Sequence, residues 1–299
     1  MRMHREMIEL PAGQSFRMIR WSDSVSAVES QLADGRWQAI AGEGSHWHYH
    51  PEMELTLFTE GRGSRFVGDH IGTFDADDLV LMGGMLPHHW HVNGRSAGLC
   101  LQWHFPEHHS LWDLPECRIL AGLFQRAASG LHLVGTTREA VAERMAGLAQ
   151  TDGLVRFGRL LELLAELAEA PPAETVALAS PSFVLPADST YQESMSRVLR
   201  HLVSHFRYAL PLDEVLGIAR MSRPTFARQF KRHTGRSMSE FLIELRLQAA
   251  CRELSDTSRS VIEIALDCGF SHVSFFNRVF RRTLGCSPSE YRTRRGRRK

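Results

Sequence analysis

No run of about 18 consecutive apolar residues occurs anywhere in the chain, so a membrane-spanning helix is not expected. No long apolar run follows the charges at the N-terminus either, so a secretory leader is not expected. Cysteine is scarce and unpaired in pattern. The five, Cys100, Cys117, Cys251, Cys268 and Cys286, are odd in number and show no Cys-x-x-Cys spacing. That argues against a disulfide framework or a cysteine-bound zinc and for a reducing compartment, so the expectation is a soluble cytoplasmic protein with no membrane partner. Net charge is nearly absent, at +1. Tryptophan is missing from the whole chain after Trp112.

What is present is more informative. A length of 299 residues predicts about two domains, and 43% hydrophobic with 23% charged residues is ordinary for a globular chain with ample material for two cores. The small net charge hides a split. Residues 190–299 carry 21 Lys+Arg against 10 Asp+Glu, a net +11, whereas residues 1–189 carry 14 against 24, a net −10. A basic C-terminal third on an acidic remainder implies that only the former meets a polyanion.

In that third, Ile262, Ala265 and Leu266 recur at i, i+3 and i+4, which predicts an apolar helix stripe ending at Gly269. A second helix is expected from Ser271, with Phe276 and Phe280 facing a core. Its other side carries His272, Ser274, Asn277, Arg278 and Arg281. Two short helices joined by a glycine turn, the second basic on its free side, fit a helix-turn-helix whose second helix enters a DNA major groove. The set Ala265, Gly269-Phe270, Phe276, Arg278, Phe280, Gly285, Ser287-Pro288 and Tyr291-Arg292 resembles the C-terminal signature of the AraC/XylS family of bacterial transcription regulators.

An earlier pair of the same kind is expected at Leu212 to Ala219 and Ser222 to His233, after an amphipathic helix carrying Met195, Val198, Leu199, Leu202, Val203 and Phe206. Ser222 caps the second member and Pro224 sits in its first turn. Ser237 with Glu240 reads as a capping box opening a helix through Leu254, the rod between the two pairs. Arg220 stands at the first turn, where such regulators commonly have glycine, and a left-handed non-glycine residue costs about 1–2 kcal/mol. Gly217 inside the preceding helix costs about 1 kcal/mol more. The first pair is therefore expected to be loosely held and the second to anchor. Arg228, Ser274, Asn277 and Arg278 suit base contacts, arginine for guanine and asparagine for adenine. Arg223, Lys231 and Arg281 suit phosphate. The competing reading is that Arg228 or Arg278 braces its own fold against Glu244 or Glu263.

The N-terminal part reads as short strands broken by turns, with Met53, Leu55 and Leu57 alternating with Glu54 and Thr56, and Asn93-Gly94 as a hairpin signal. Gly42, His48-Tyr49-His50, Glu54 and Gly61 resemble the first motif of the cupin superfamily, a small jelly-roll barrel; Pro87-His88 matches the second motif only in part. Residues of equal parity share a strand face, so His48, His50 and Glu54 can point inward, and with His88 they form a set suited to a divalent transition metal. Two other readings stay open: a hydrogen-bonding pocket for a small polar effector, and histidines that only support the fold. Trp47 and Trp90 flank the histidines and suit stacking on a sugar; the competing reading is that they are core or surface aromatics of a β domain.

From Pro115 the spacing becomes helical, and Leu160, Leu161, Leu163, Leu164 and Leu167 form a stripe that packing on the barrel or on a second copy would satisfy. A homodimer is expected. Ala170-Pro171-Pro172 ends the helix. The expected architecture is α+β. It comprises a cupin-like sensor domain (1–110), connector and dimerisation helices (111–170), a linker (171–189), an all-α DNA-binding domain with two helix-turn-helix units (190–292) and a basic tail (293–299). The resemblance implies a regulator, not an enzyme, and in most such proteins an activator. It would bind promoter DNA, a small-molecule effector and RNA polymerase. The rivals are a metallo-cupin enzyme fused to a DNA-binding module and a constitutive DNA-binding protein.

Overall fold

The computed structural model describes residues 4–42, 47–180, 183 and 191–296. The chain divides into two compact units, one of Met3–His70 with Phe74–Leu185 and one of Pro186–Lys299, with which the short segment Ile71–Thr73 is grouped.

The first unit contains β1 (His4–Arg5), β2 (Phe16–Ser24), β3 (Ala27–Gln31), β4 (Trp37–Ala41), β5 (His48–Tyr49), β6 (Met53–Glu60), β7 (Gly63–Val67), β8 (His70–Phe74), β9 (Asp78–Met82), β10 (His88–Val92) and β11 (Ala97–Trp103). After them come α1 (Ile119–Ala127), β12 (Leu131–Leu133), α2 (Gly135–Leu148), α3 (Gly153–Glu169) and β13 (Thr175–Ala177). The strands form two sheets, in the orders β1-β5-β10-β7-β8 and β13-β12-β9-β6-β11-β2-β3-β4.

The middle strands of the larger sheet are buried on both faces. Leu55, Leu57, Leu79, Leu81, Leu101 and Trp103 share a core with the connector helices. On the other face Ile19, Trp21, Phe58, Val80 and Met82 pack with Val67, Phe74 and Trp90 of the smaller sheet. Double burial explains why Leu79-Val80-Leu81-Met82 is a continuous apolar run rather than an alternation.

Several expectations are corrected here. The α3 stripe, Leu160, Leu163, Leu164 and Leu167, is spent on the sheet and not on a second copy. Segments 1–110 and 111–170 are one unit, because β12 pairs with β9 and extends the larger sheet. Thr175–Ala177, expected as linker, is a strand paired with β12. Linker residues 181–182 and 184–189 lie outside the described residues. Asn93-Gly94 turns, with Gly94 at φ +86°, but does not close a hairpin. It carries the chain from β10, paired with β5 and β7, to β11, paired with β2 and β6.

The second unit is helical throughout its ordered elements: α4 (Gln192–His205), α5 (Leu212–Ala219), α6 (Arg223–Thr234), α7 (Met238–Asp256), α8 (Val261–Asp267), α9 (Val273–Leu284) and α10 (Pro288–Gly296). α7, 19 residues and so about 28 Å long, carries a helix pair on each half. Phe241 near its start meets Phe230 of α6 edge to face at 5.5 Å. Its second half, Leu247, Ala250, Cys251 and Leu254, shares a core with Ile264, Ala265, Phe276, Val279 and Phe280 of α8 and α9.

The expected stripe of α8 is corrected by one register. Ile262 and Leu266 are 58% and 50% exposed, whereas Ile264, Ala265 and Cys268 are buried and Val261 packs against them. Both sets satisfy helical spacing; the second faces α7. α9 begins at Val273 with His272 as its cap, two residues later than expected. The tail is corrected in part, since Thr293–Gly296 continues α10, and residues 297–299 lie outside the described residues.

Candidate nucleic-acid interface and inter-sheet cavity

α9 is built so that one face is fixed and the other free. Phe276, Val279 and Phe280 are buried at i, i+3 and i+4, and Phe276 packs on Phe270 at 4.9 Å between ring centres. The opposite face presents Ser274, Asn277, Arg278 and Arg281 at i, i+3, i+4 and i+7, all exposed. His272 is exposed at the cap position. In α6, Phe226 and Phe230 are buried while Arg223, Arg228 and Lys231 are exposed. These donors are brought to two free helix faces as the spacing predicts.

The bracing alternative finds no support in the ion pairs. Glu244 pairs with Arg236, and Glu263 accepts a hydrogen bond from the Ser260 backbone N–H at 2.9 Å. Among the described residues neither Arg228 nor Arg278 forms an ion pair; Arg278 lies over the Phe275 ring, 5.3 Å from its centre. Its guanidinium edge is left available.

The turns differ in a way the sequence predicts. Arg220 closes α5 in the left-handed region at φ +53°, whereas Gly269 after α8 takes φ +89°. Ser222 occupies the cap position of α6, but its hydroxyl donates to Thr225 Oγ1 at 3.0 Å and no backbone N–H is capped by it. By contrast α7, α8 and α10 each open with a reciprocal Ser-x-x-Glu box, Ser237/Glu240, Ser260/Glu263 and Ser287/Glu290. The last two were legible in sequence and missed. Hydrogen bonds from the serine at each box hold Glu240, Glu263 and Glu290 below the usual carboxylate range.

In the first unit, His48, His50, Glu54 and His88 are all buried, and one donor atom from each lies within 4.8 Å of the others. They do not share a strand face as expected. Strand β5 ends at Tyr49, before Pro51, and Glu54 lies on β6 in the other sheet. The four converge because the two sheets close on one another. His50 Nε2 stands 3.1 Å from Glu54 Oε2, and His88 Nε2 3.7 Å from Oε1. Glu54 also accepts from Thr56 Oγ1 at 2.6 Å and from Gln102 Nε2 at 2.7 Å. Burial opposes its ionisation, but the His88 and His50 imidazoles outweigh that and hold the carboxyl well below its usual range. Burial likewise opposes charge on His50, yet its hydrogen bond to Glu54 raises its pKa above the ordinary value.

A cavity of about 60 Å³ touches this cluster at His48 and Glu54. Its polar end includes Glu6, Arg17 and Gln102; its apolar wall includes Ile19, Trp21, Val28, Phe58 and Trp90. Arg17 Nε donates to Gln102 Oε1 at 2.8 Å and its NH2 to Glu6 at 3.2 Å. Trp90 lines the cavity as expected; Trp47 does not, and packs edge-on to Phe66 at 5.8 Å. Glu6, Arg17, Thr56 and Gln102 were missed in sequence. Glu6 follows β1, Arg17 lies on β2 and Gln102 on β11, far apart in the chain, whereas Thr56 shares β6 with Glu54 two residues away.

Comparison with known proteins places the second unit. A family model described as a helix-turn-helix domain matches residues 216–294. The RhaR transcriptional activator of Mannheimia succiniciproducens is 43% identical over 67 residues, 22% of this chain and 24% of that protein. The RhaS activator of Salmonella arizonae is 26% identical over 276 residues, 82% of this chain and 86% of that one. Among solved structures, the DNA-binding domain of the global transcriptional factor AdpA in complex with a target DNA is 33% identical, covering 36% of this chain and 96% of that domain, at a TM-score of 0.34. The matches cover 24%, 27% and 39% of the length of the first three curated relatives. The exposed basic face of α9 lies within the matched segment: residues 216–294 match a helix-turn-helix domain, and parts of the chain are similar in sequence to named transcriptional activators.

Proposed function

We propose that the protein binds double-stranded promoter DNA sequence-specifically through α6 and α9, as two helix-turn-helix units on the α7 rod, and changes transcription when a small molecule occupies the inter-sheet cavity. The observation that carries the DNA reading is the α9 face: four polar side chains at i, i+3, i+4 and i+7, exposed and backed by a rigid aromatic core. Arg228, Ser274, Asn277 and Arg278 read bases. Arg223, Lys231, Arg281 and the cap residue His272 hold the backbone. With α6 and α9 on one rod, the two enter major-groove segments about one turn, roughly 34 Å, apart.

The sensor reading, with a cupin-like jelly roll formed by the two sheets, rests on a cavity that is polar at one end and apolar along its wall. Such a site takes a small organic effector by hydrogen bonds at one end and by stacking on Trp21 or Trp90 at the other, as a sugar does. The effector acts only by binding two arrangements of the chain with different affinity. By likeness to RhaS and RhaR, both named activators, we infer activation through contact with RNA polymerase. A homodimer would now rest on the start of α3, where Leu154 and Val155 are 85% and 62% exposed. The RhaR and RhaS proteins to which the chain is similar are named transcriptional activators, and the cavity is read as a receptor on that likeness.

In vitro selection of duplex DNA with the full-length protein tests this. The expected result is a motif with two elements one turn apart, bound less well by the Arg278→Ala and Arg228→Ala variants. A pool that enriches no sequence refutes the reading.

A further inference from the structure

We propose that residues 178–180 with Phe183, which follow β13 on the way to α4, form a strap whose hold on the two sheets depends on what fills the inter-sheet cavity. The inference deepens the receptor reading of that cavity and rests on it for the source of the signal.

The strap is fastened on two sides. Leu178 N–H donates to Gly130 O at 2.9 Å and Ala179 N–H to Ser129 O at 2.7 Å, both in the turn between α1 and β12. On the other side is Asp69, in the turn between β7 and β8. Its Oδ1 accepts from Ser180 N–H at 2.8 Å and its Oδ2 from the Ser180 hydroxyl at 2.6 Å. The two residues are 111 apart in the chain, so this is a tertiary clasp and not a local turn. The β7–β8 turn is shaped to receive it. Gly68 stands at φ +56°, and a Cβ there would lie 2.7 Å from Ala179 Cβ and 3.1 Å from Phe183 Cδ1. Only glycine allows both that backbone and that approach.

The hold is slight. Ala179 is buried, whereas Leu178, Ser180 and Phe183 are half-buried. A segment with a few hydrogen bonds and little buried apolar surface opens locally while the sheets beneath it stay closed. It is also seated on the cavity wall. Leu178, Ala179 and Phe183 pack in the inter-sheet cluster that contains Val67 and Leu86, and Trp21, Phe58 and Trp90 of that same cluster line the cavity. A close-packed cluster takes up an occupant by shifting whole side chains, because it compresses little. An occupant that shifts Phe58 or Trp90 changes the surface on which Ala179 and Phe183 sit, and by linkage the strap changes the occupant's affinity by the same factor. Held, the strap leaves residues 184–191 to connect it to α4; released, it adds its own length to that connection and so to its reach.

The test is hydrogen exchange at single amides of the full chain with no ligand added. Leu178 and Ala179 are read, because their acceptors are backbone carbonyls that no variant removes. In Asp69→Ala both should exchange roughly 10–100-fold faster, the loss of a charge-assisted hydrogen bond expressed as an opening equilibrium, while β2, β6 and β11 keep the parent rates. Val28→Leu and Ile40→Phe enlarge cavity-wall side chains on β3 and β4, at the opposite end of the larger sheet from β13. Val28→Leu adds one methylene beside a cavity of about 60 Å³, so the fold is kept. In these variants the strap amides should change rate by about fivefold or more, the low end of coupling between two sites. Strap amides that exchange as in an unfolded chain in the parent overturn the proposal. So do parent rates in Asp69→Ala, or in Val28→Leu and Ile40→Phe together. The receptor reading fails separately, if no sugar or small acid in a screen raises the protein's melting temperature.

Discussion

Two glycines close α8 and α9 in the same left-handed conformation, and their surroundings differ. Gly269 sits at φ +89° and Gly285 at φ +70°. A Cβ added to Gly285 would meet nothing within 4 Å, so Gly285→Ala costs only the left-handed penalty, about 1–2 kcal/mol. A Cβ added to Gly269 would stand 2.8 Å from Phe206 O, 2.9 Å from Arg207 O and 2.8 Å from Arg246 Nε. The arginine can swing away, but the two carbonyls belong to the backbone at the end of α4 and cannot. That end is also where Arg246 bonds, Nε to Phe206 O at 2.7 Å and NH2 to Tyr208 O at 2.9 Å. Displacing it forfeits charge-assisted hydrogen bonds worth about 1.5–3 kcal/mol. Gly269→Ala is therefore expected to cost roughly 3–5 kcal/mol. Urea unfolding of both variants, followed through the helical unit's transition, measures the difference. If the two variants lie within about 1 kcal/mol of each other, the close approach of α4 to this turn is not what fixes Gly269.

Three further outcomes follow from other parts of the helical unit. Gly217 lies inside α5 with nothing within 4 Å of an added Cβ, so Gly217→Ala should stabilise by about 1 kcal/mol, and Arg220→Gly, relieving a φ of +53°, should not destabilise; thermal unfolding reads both. In electrophoretic mobility shift, Arg278→Ala should weaken binding to the selected DNA by about 1–3 kcal/mol and Arg228→Ala by less, because α9 follows a glycine turn and α6 a strained one; equal losses would refute that ordering. Glu240, Glu263 and Glu290 have depressed pKa values in the folded chain, so their contribution is present above the ordinary carboxylate pKa and lost as pH falls through the folded values. The triple glutamine variant should accordingly show a flatter fall of melting temperature between roughly pH 5 and pH 3 than the parent.

The sequence by itself determined the C-terminal helices, the serine caps of α7, α8 and α10 and the free faces of α6 and α9. Each of those is settled within a turn or two of the chain: apolar residues at i, i+3 and i+4, a serine three before a glutamate, a glycine after the last turn. Even the strained Arg220 was legible, because its position in the turn fixes its backbone. Where local spacing allowed two answers, only tertiary structure chose. Val261, Ile264 and Ala265 and the rival Ile262, Ala265 and Leu266 are equally helical stripes, and α7 decides which is inside. The α3 leucines are satisfied by a sheet that the stripe cannot name. The cluster around Glu54 shows the limit most plainly. His48, His50 and His88 could be picked out by type, but Gln102 is 48 residues from Glu54 and 85 from Arg17, and they meet only because β6, β11 and β2 are neighbours in one sheet. Strand pairing is a long-range choice, and the chemistry it assembles is written in no single stretch of the chain.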